Sequence, residues 1–215
     1  LNPQPPVVKK LESSFKNIVD GFRAIQKQPD IMQTLIINFT SSVFNAGAFM
    51  TVFPFIVKEI YDGDALLLSF LMVIFYAGAA VSNFLMIRLM PLVRPGRIFL
   101  LMQLSRMLIL GLMWLEPAFW IFALACVGWG LNMGVTMTLA RTIVQESATA
   151  EFRARIMSVY SLGLLGSAPI GALILGRVID SLGILNALIP AMSISILLFL
   201  YGIIFTNVYE YRSPS

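Results

Sequence analysis

The residues with chemistry to offer sit singly inside long apolar runs. Asn38 and Asn45 lie in one run, Tyr76 and Asn83 in another, Asn132 in a third and Tyr160 in a fourth. Asn38 and Asn45 are seven residues apart, two helical turns, and so share a helix face. Buried amides and phenols hydrogen-bond. They either join neighbouring helices or line a cavity for an amphipathic organic molecule. Covalent chemistry is poorly served. The 215 residues contain no histidine, which removes His-based triads, His metal sites and His proton relays. Cys126 is the only cysteine. It reads as a small hydrophobe, with no disulfide or zinc cluster available to it. No catalytic constellation, metal site or cofactor is expected.

Arg106 is the one charge well inside an apolar run. A guanidinium near a bilayer centre costs about 2.5–3.5 kcal/mol on insertion scales. No Asp or Glu lies inside any run, so a carbonyl, a water-filled cavity or an acid outside this chain must satisfy it. Structural and functional readings of Arg106 both stand. The same lack of acids means that a proton-driven protein would titrate a group elsewhere, or at a run's end such as Asp180.

The elements that must position these residues are six apolar runs, expected over 31–57, 65–87, 98–115, 118–140, 156–179 and 182–208. A helix of roughly 20 apolar residues crosses a bilayer, and these runs reach that scale. The composition agrees: 58% hydrophobic, 12% charged and a mean hydropathy of +0.85, where soluble domains carry about 25% charge. The expected fold is all-α and polytopic, with one six-helix transmembrane bundle over 31–208. Residues 1–30 precede it as linker and amphipathic helix, and 209–215 follow as a tail.

In that helix Phe15, Ile18, Val19, Phe22 and Ile25 share a face, and Ser13 or Ser14 can cap its start. It either lies in the membrane interface or packs on protein. Six crossings place eleven Lys and Arg on one side against two, Lys58 and Arg177, on the other. Positive charge marks the cytosolic side, so both chain ends are expected there. The net charge of +4 follows span ends rather than a stripe and gives no reason to expect nucleic acid. Trp114 and Trp120 flank the Glu116-Pro117 turn, with Tyr61, Tyr209 and Tyr211 at other span ends, as aromatic rings favour the headgroup level.

The fifth run carries Gly163, Gly166, Pro169, Gly171 and Gly176. Small residues let helices approach closely, and Pro169 removes a backbone hydrogen bond. Ordinary tight packing and a rocking contact between bundles both fit this stripe. Gly130 and Gly134 form a similar pair in the fourth run. The chain starts at Leu1 with a Pro-rich segment, as expected of a fragment beginning inside a longer polypeptide.

The stretch Arg141-Thr-Ile-Val-Gln-Glu146-Ser-Ala-Thr-Ala-Glu151-Phe-Arg153-Ala-Arg155-Ile-Met-Ser resembles the charged segment before the eleventh helix of major facilitator superfamily transporters. It is most similar to that of bacterial drug, macrolide and enterobactin exporters. Gly166-Ser-Ala-Pro169-Ile-Gly171 is similar to the antiporter-type helix motif of that family. Arg94-Pro-Gly96-Arg97 resembles its basic loop between helices eight and nine, without the family's Asp.

The resemblance implies the C-terminal half of a twelve-helix transporter in the bacterial inner membrane. An N-terminal six-helix half would be its partner, and a small molecule would be exported by alternating access. It places Arg97, Arg141, Glu146, Glu151, Arg153 and Arg155 in cytosolic charged loops. It makes the first, second, fourth and fifth spans line the cavity and leaves the third and sixth peripheral. The alternatives are a non-transporting membrane scaffold and, less favoured, a membrane-bound enzyme.

Overall fold

The computed structural model describes residues 14–214. The linker expected over 1–12, the alternative cap at Ser13, and Ser215 lie outside them, as do the side chains of 14–17. Seven helices account for most of the described chain. Helix α1 (Ser14–Gln26) is followed by six apolar helices long enough to cross a membrane. These are α2 (Pro29–Ile60), α3 (Ala65–Leu89), α4 (Pro95–Trp114), α5 (Phe119–Ser147), α6 (Arg153–Leu182) and a last span, Leu185–Ile204. That span opens with one 3-10 turn and continues as α7 (Ile189–Ile204). The chain is thus an all-α polytopic membrane protein.

Local chemistry sets the ends of these helices. Pro29 and Pro95 start α2 and α4, where a missing N–H costs nothing. Asp64 caps α3 by accepting from the Leu67 N–H at 2.9 Å. Gly183, at φ +86°, ends α6 in a conformation that side chains disfavour. Helix α2 widens into π-type turns at Ala48–Val52 and Ile56–Ile60, on either side of Pro54. Proline cannot donate to the carbonyl four residues back and crowds it, so the wider turns relieve the ladder without ending the helix.

Two expected boundaries need correction. Helix α5 runs to Ser147, and the connection to α6 spans only 148–152. Arg141 and Glu146 therefore lie on helix, as do Arg153 and Arg155 in the first turn of α6 and Arg97 in that of α4. Only Glu151 of the six sits in a loop. No glycine or proline interrupts 135–147, so nothing stops the helix where apolarity ends. The last helix is also shorter than expected, ending at Ile204.

Helix α5 is central, packing on α3, α4 and α2, while α2 also packs on α6 and α7. The α3–α5 seam is closest. A Cβ on Gly130 would overlap the Phe75 carbonyl oxygen, and one on Gly134 would overlap the Ser82 hydroxyl, so backbones meet there. By contrast, α5 and α6 barely touch. Helix α1 packs on protein: Ile25 is 1% exposed, Gly21 abuts the Arg155 carbonyl and Asp20 pairs with Arg155 at 3.6 Å. Of the expected apolar face, Ile25 is buried and Phe22 is 52% exposed; Gly21 and Ala24 complete the buried face.

The segment after α7 meets the start of α2 and the end of α5 on one side of the bundle. The Asn207 N–H donates to Gln33 Oε1 at 3.0 Å, and the Tyr211 hydroxyl donates to Glu146 Oε2 at 3.3 Å. On the other side the Tyr61 hydroxyl donates to the Pro117 carbonyl at 2.6 Å. Burial, then the nearby Glu116 and Cys126, push that phenol up to about 12.

Candidate functional site

The interior holds two apolar cores with a polar layer between them. One core gathers Phe53, Phe75, Phe122 and Trp129, with Phe49 stacked on Phe75 at 4.2 Å and edge-on to Trp129 at 5.6 Å. The other gathers Leu35, Phe99, Leu100, Ile143 and Ile156. The layer falls where helices pass from one core to the other: Ser41 in α2, Gln103 and Arg106 in α4, Asn132 and Thr136 in α5.

Arg106 organises that layer. It is 3% exposed, and every N–H of its guanidinium finds an acceptor. Nε donates to Asn132 Oδ1 at 3.2 Å. One terminal nitrogen donates to Asn132 Oδ1 at 3.1 Å and Thr136 Oγ1 at 3.3 Å. The other donates to Gln103 Oε1 at 3.2 Å and to the Ser41 hydroxyl. Asn132 is held by its own donations to the Met102 carbonyl at 2.7 Å and Ser105 Oγ at 2.6 Å. All these acceptors are neutral. Hydrogen bonding lowers the cost of burying the charge, but no carboxylate cancels it among the described residues.

Above this layer lies a cavity of about 180 Å³. Helix α2 lines it with Asn38, Ser41, Ser42, Asn45 and Phe49, and α3 with Phe75 and Tyr76. Helix α5 adds Met133, Thr136 and Met137, α6 adds Leu164, and α4 adds Arg106. The walls thus combine amides and hydroxyls with aromatic and thioether surface. Asn45 accepts from Trp129 Nε1 at 2.6 Å. Asn38 is 2% exposed, and its side chain lies beside the Tyr160 hydroxyl.

An adjoining recess shares Met137 and Leu164 with the cavity and is lined by Asn83, Thr138, Arg141, Tyr160 and Ser161 as well. Thr138 donates to Asn83 Oδ1 at 2.9 Å across the α3–α5 seam.

The expected cavity residues therefore divide. Asn38, Asn45 and Tyr76 line the cavity, while Asn83 and Tyr160 line the recess. Asn132 lines neither: it braces Arg106, because its helix face turns toward α4. The third span is not peripheral either, since Arg106 reaches the cavity from α4. Sequence reading missed Ser41 and Ser42, which complete an i, i+3, i+4, i+7 stripe with Asn38 and Asn45. It also missed Gln103 and Thr136, which lie three and four residues from Arg106 and Asn132 and so share their faces.

The small residues of α6 divide too. A Cβ on Gly171 would overlap the Val43 carbonyl, and one on Gly163 would overlap the Phe39 ring, so both pack on α2. Gly166 and Gly176 have nothing within 4 Å of such a Cβ, and Pro169 is exposed. The helix continues through Pro169.

The sequence profile of the Major Facilitator Superfamily matches residues 2–172, most of the chain. The chain belongs to the major facilitator superfamily. Among curated proteins, none matches it. Membership makes this a membrane transporter protein, and its interior is consistent with that work. The superfamily chain presents a cavity lined from five helices, with groups suited to non-covalent binding. Among the described residues no cluster of Asp, Glu, Cys or His could hold a metal ion.

Proposed function

We propose that this chain forms one bundle of a secondary transporter that exports a small amphipathic organic molecule. The observation that carries this reading is convergence. Asn38, Asn45, Tyr76, Thr136 and Arg106 come from four helices, yet all line one cavity beside Phe49, Phe75 and Met133. Polar groups that served only helix pairing would have no reason to share a concave surface with aromatic walls.

The partner in this proposal is a second six-helix half on the same polypeptide, facing the cavity. Incomplete cover supports it: 17% of the apolar stretch of α6 and 28% of that of α3 is buried, against 50% in α5. The two least covered helices flank the cavity. Rocking of one bundle against the other would expose the cavity to each side in turn. Resemblance to drug, macrolide and enterobactin exporters supports the outward direction. The lysine and arginine excess at the end shared by both termini supports a cytosolic placement of that end, in the bacterial inner membrane.

Efflux of a fluorescent amphipathic dye from cells producing the full-length protein tests the proposal. Asn45→Leu blocks the cavity and is expected to reduce efflux at least about fivefold at equal protein level, with the protein still inserted. Unchanged efflux in that variant would reject the cavity as the transport path.

A further inference from the structure

We propose that the cavity selects organic anions, carboxylates above all, over cations of the same size. This inference rests on the cavity being the binding site proposed above. Two observations carry it.

The first is charge without compensation. Arg106 lines the cavity, stays protonated in any protein setting, and is ringed by five neutral hydrogen-bond contacts. Hydrogen bonds to Ser41, Gln103, Asn132 and Thr136 fix the group in place but leave its field directed into the cavity. The second is the adjoining recess. It carries Arg141, and neither space is lined by an Asp or Glu. A cation would meet two arginines and no counter-charge. An anion would meet a fixed positive charge in surroundings where it is weakly screened.

The walls define the rest of the molecule. Phe49, Phe75, Tyr76 and the thioethers of Met50, Met133 and Met137 suit an aromatic or branched apolar body, and thioethers adapt to varied shapes. The class that fits is therefore an aryl or aliphatic carboxylate with a compact apolar body. A phosphate-rich molecule would leave the aromatic walls unused.

Three matched probes test this: 1-naphthoate, 1-naphthylmethylammonium and the neutral 1-naphthalenemethanol. Binding to the full-length protein is measured by calorimetry in phosphatidylcholine nanodiscs, with empty nanodiscs subtracted. The expected result is that naphthoate binds at least about tenfold more tightly than the ammonium, as a fixed charge within a few ångström requires. Arg106→Gln keeps hydrogen-bonding capacity but removes the charge. It is expected to bring the anion-to-cation ratio down toward one while the neutral alcohol still binds, which shows the cavity intact. If that variant does not fold, Asn38→Asp decides. It adds a carboxylate to the cavity that Arg106 lines without touching the arginine's bonds, and is expected to abolish the anion preference.

Equal binding of the two charged probes to the unaltered protein would overturn the proposal, as would an unchanged ratio in both variants. Equal binding is also the result expected if an acid from a second bundle neutralises Arg106. In those cases binding of the neutral alcohol keeps the cavity reading alive. Failure of all three probes to bind would overturn that reading and this inference with it.

Discussion

The seam between α3 and α5 and the gap between α5 and α6 are two borders of the same helix, built on opposite terms. Along the seam, Gly78, Gly130 and Gly134 bring backbone onto backbone, and Trp129, Phe75 and Phe49 fill the space beside it. Along the gap the helices scarcely meet, and amides, hydroxyls and Arg106 look into open volume. The seam is shaped chiefly by packing, with one hydrogen bond from Thr138 to Asn83 across it, since lipid offers apolar side chains as good an environment as protein does. The gap holds polar groups that lipid would penalise. A helix pressed so closely on one side and left open on the other serves as a wall, with the seam keeping the cavity in shape.

The largest expected effect comes from prising the seam apart. Gly130→Val places a branched side chain against the Phe75 carbonyl, a backbone atom that cannot step aside. Overpacking of this kind costs about 1–3 kcal/mol or more, and the variant should lose most of its folded yield on size-exclusion chromatography. Gly171→Ala attacks the α2–α6 border through Val43 in the same way. A smaller yield loss is expected there, because α6 is the less embedded helix.

Next in size is the polar layer. Arg106→Leu strands Asn132 Oδ1, a buried acceptor that loses its donors, at about 1–3 kcal/mol, while Gln103 Oε1 keeps the Ser41 hydroxyl at 3.0 Å. The midpoint of thermal unfolding in detergent should fall clearly. Arg106→Gln should fall less, since an amide can satisfy part of the ring of acceptors. If Leu is tolerated as well as Gln, the layer does not depend on the network described here.

The open border predicts the opposite sign. Gly166 has open space around it, and alanine is favoured over glycine inside helices by about 0.8–1.0 kcal/mol. Gly166→Ala should therefore leave the thermal midpoint unchanged or slightly raised. A fall as large as that of Gly171→Ala would show that α6 packs along its whole glycine stripe. The smallest expected effect is Tyr61→Phe, which loses one hydrogen bond to Pro117, worth about 0.5–1.5 kcal/mol. The phenol ionises near 10 when unfolded but near 12 in place, so folding stability it confers declines as pH climbs from 10 toward 12. The Phe variant should lack that part of the alkaline loss of stability.

The fold was readable from uncharged length. Five charge-free gaps and a sixth apolar run interrupted only by Arg106 marked six helices, because a bilayer punishes ionic groups without regard to tertiary detail. Helix ends were less readable. Arg141 and Glu146 looked like loop residues because polarity rises there, but helix persists until something breaks it. The site was half legible. Asn38 and Asn45 shared a face by spacing alone and do share the cavity. Asn132 carried the same chemical signal but faces α4, and no single-helix period can say which neighbour a face meets. Arg106 marked itself as costly, yet its neutral partners, drawn from three helices, belong to tertiary structure.

The central claim is that the space between α2, α3, α5 and α6 is a water-reachable path whose opening changes sides. Thiol labelling of Asn45→Cys in the full-length protein, with buried Cys126 changed to Ala, measures this most directly. A membrane-impermeant maleimide is applied to sealed vesicles of each orientation, with and without transportable dye. The account predicts labelling from both sides, in proportions that shift when dye is added. Absence of labelling from both sides, or labelling from one side that dye leaves unchanged, would contradict it.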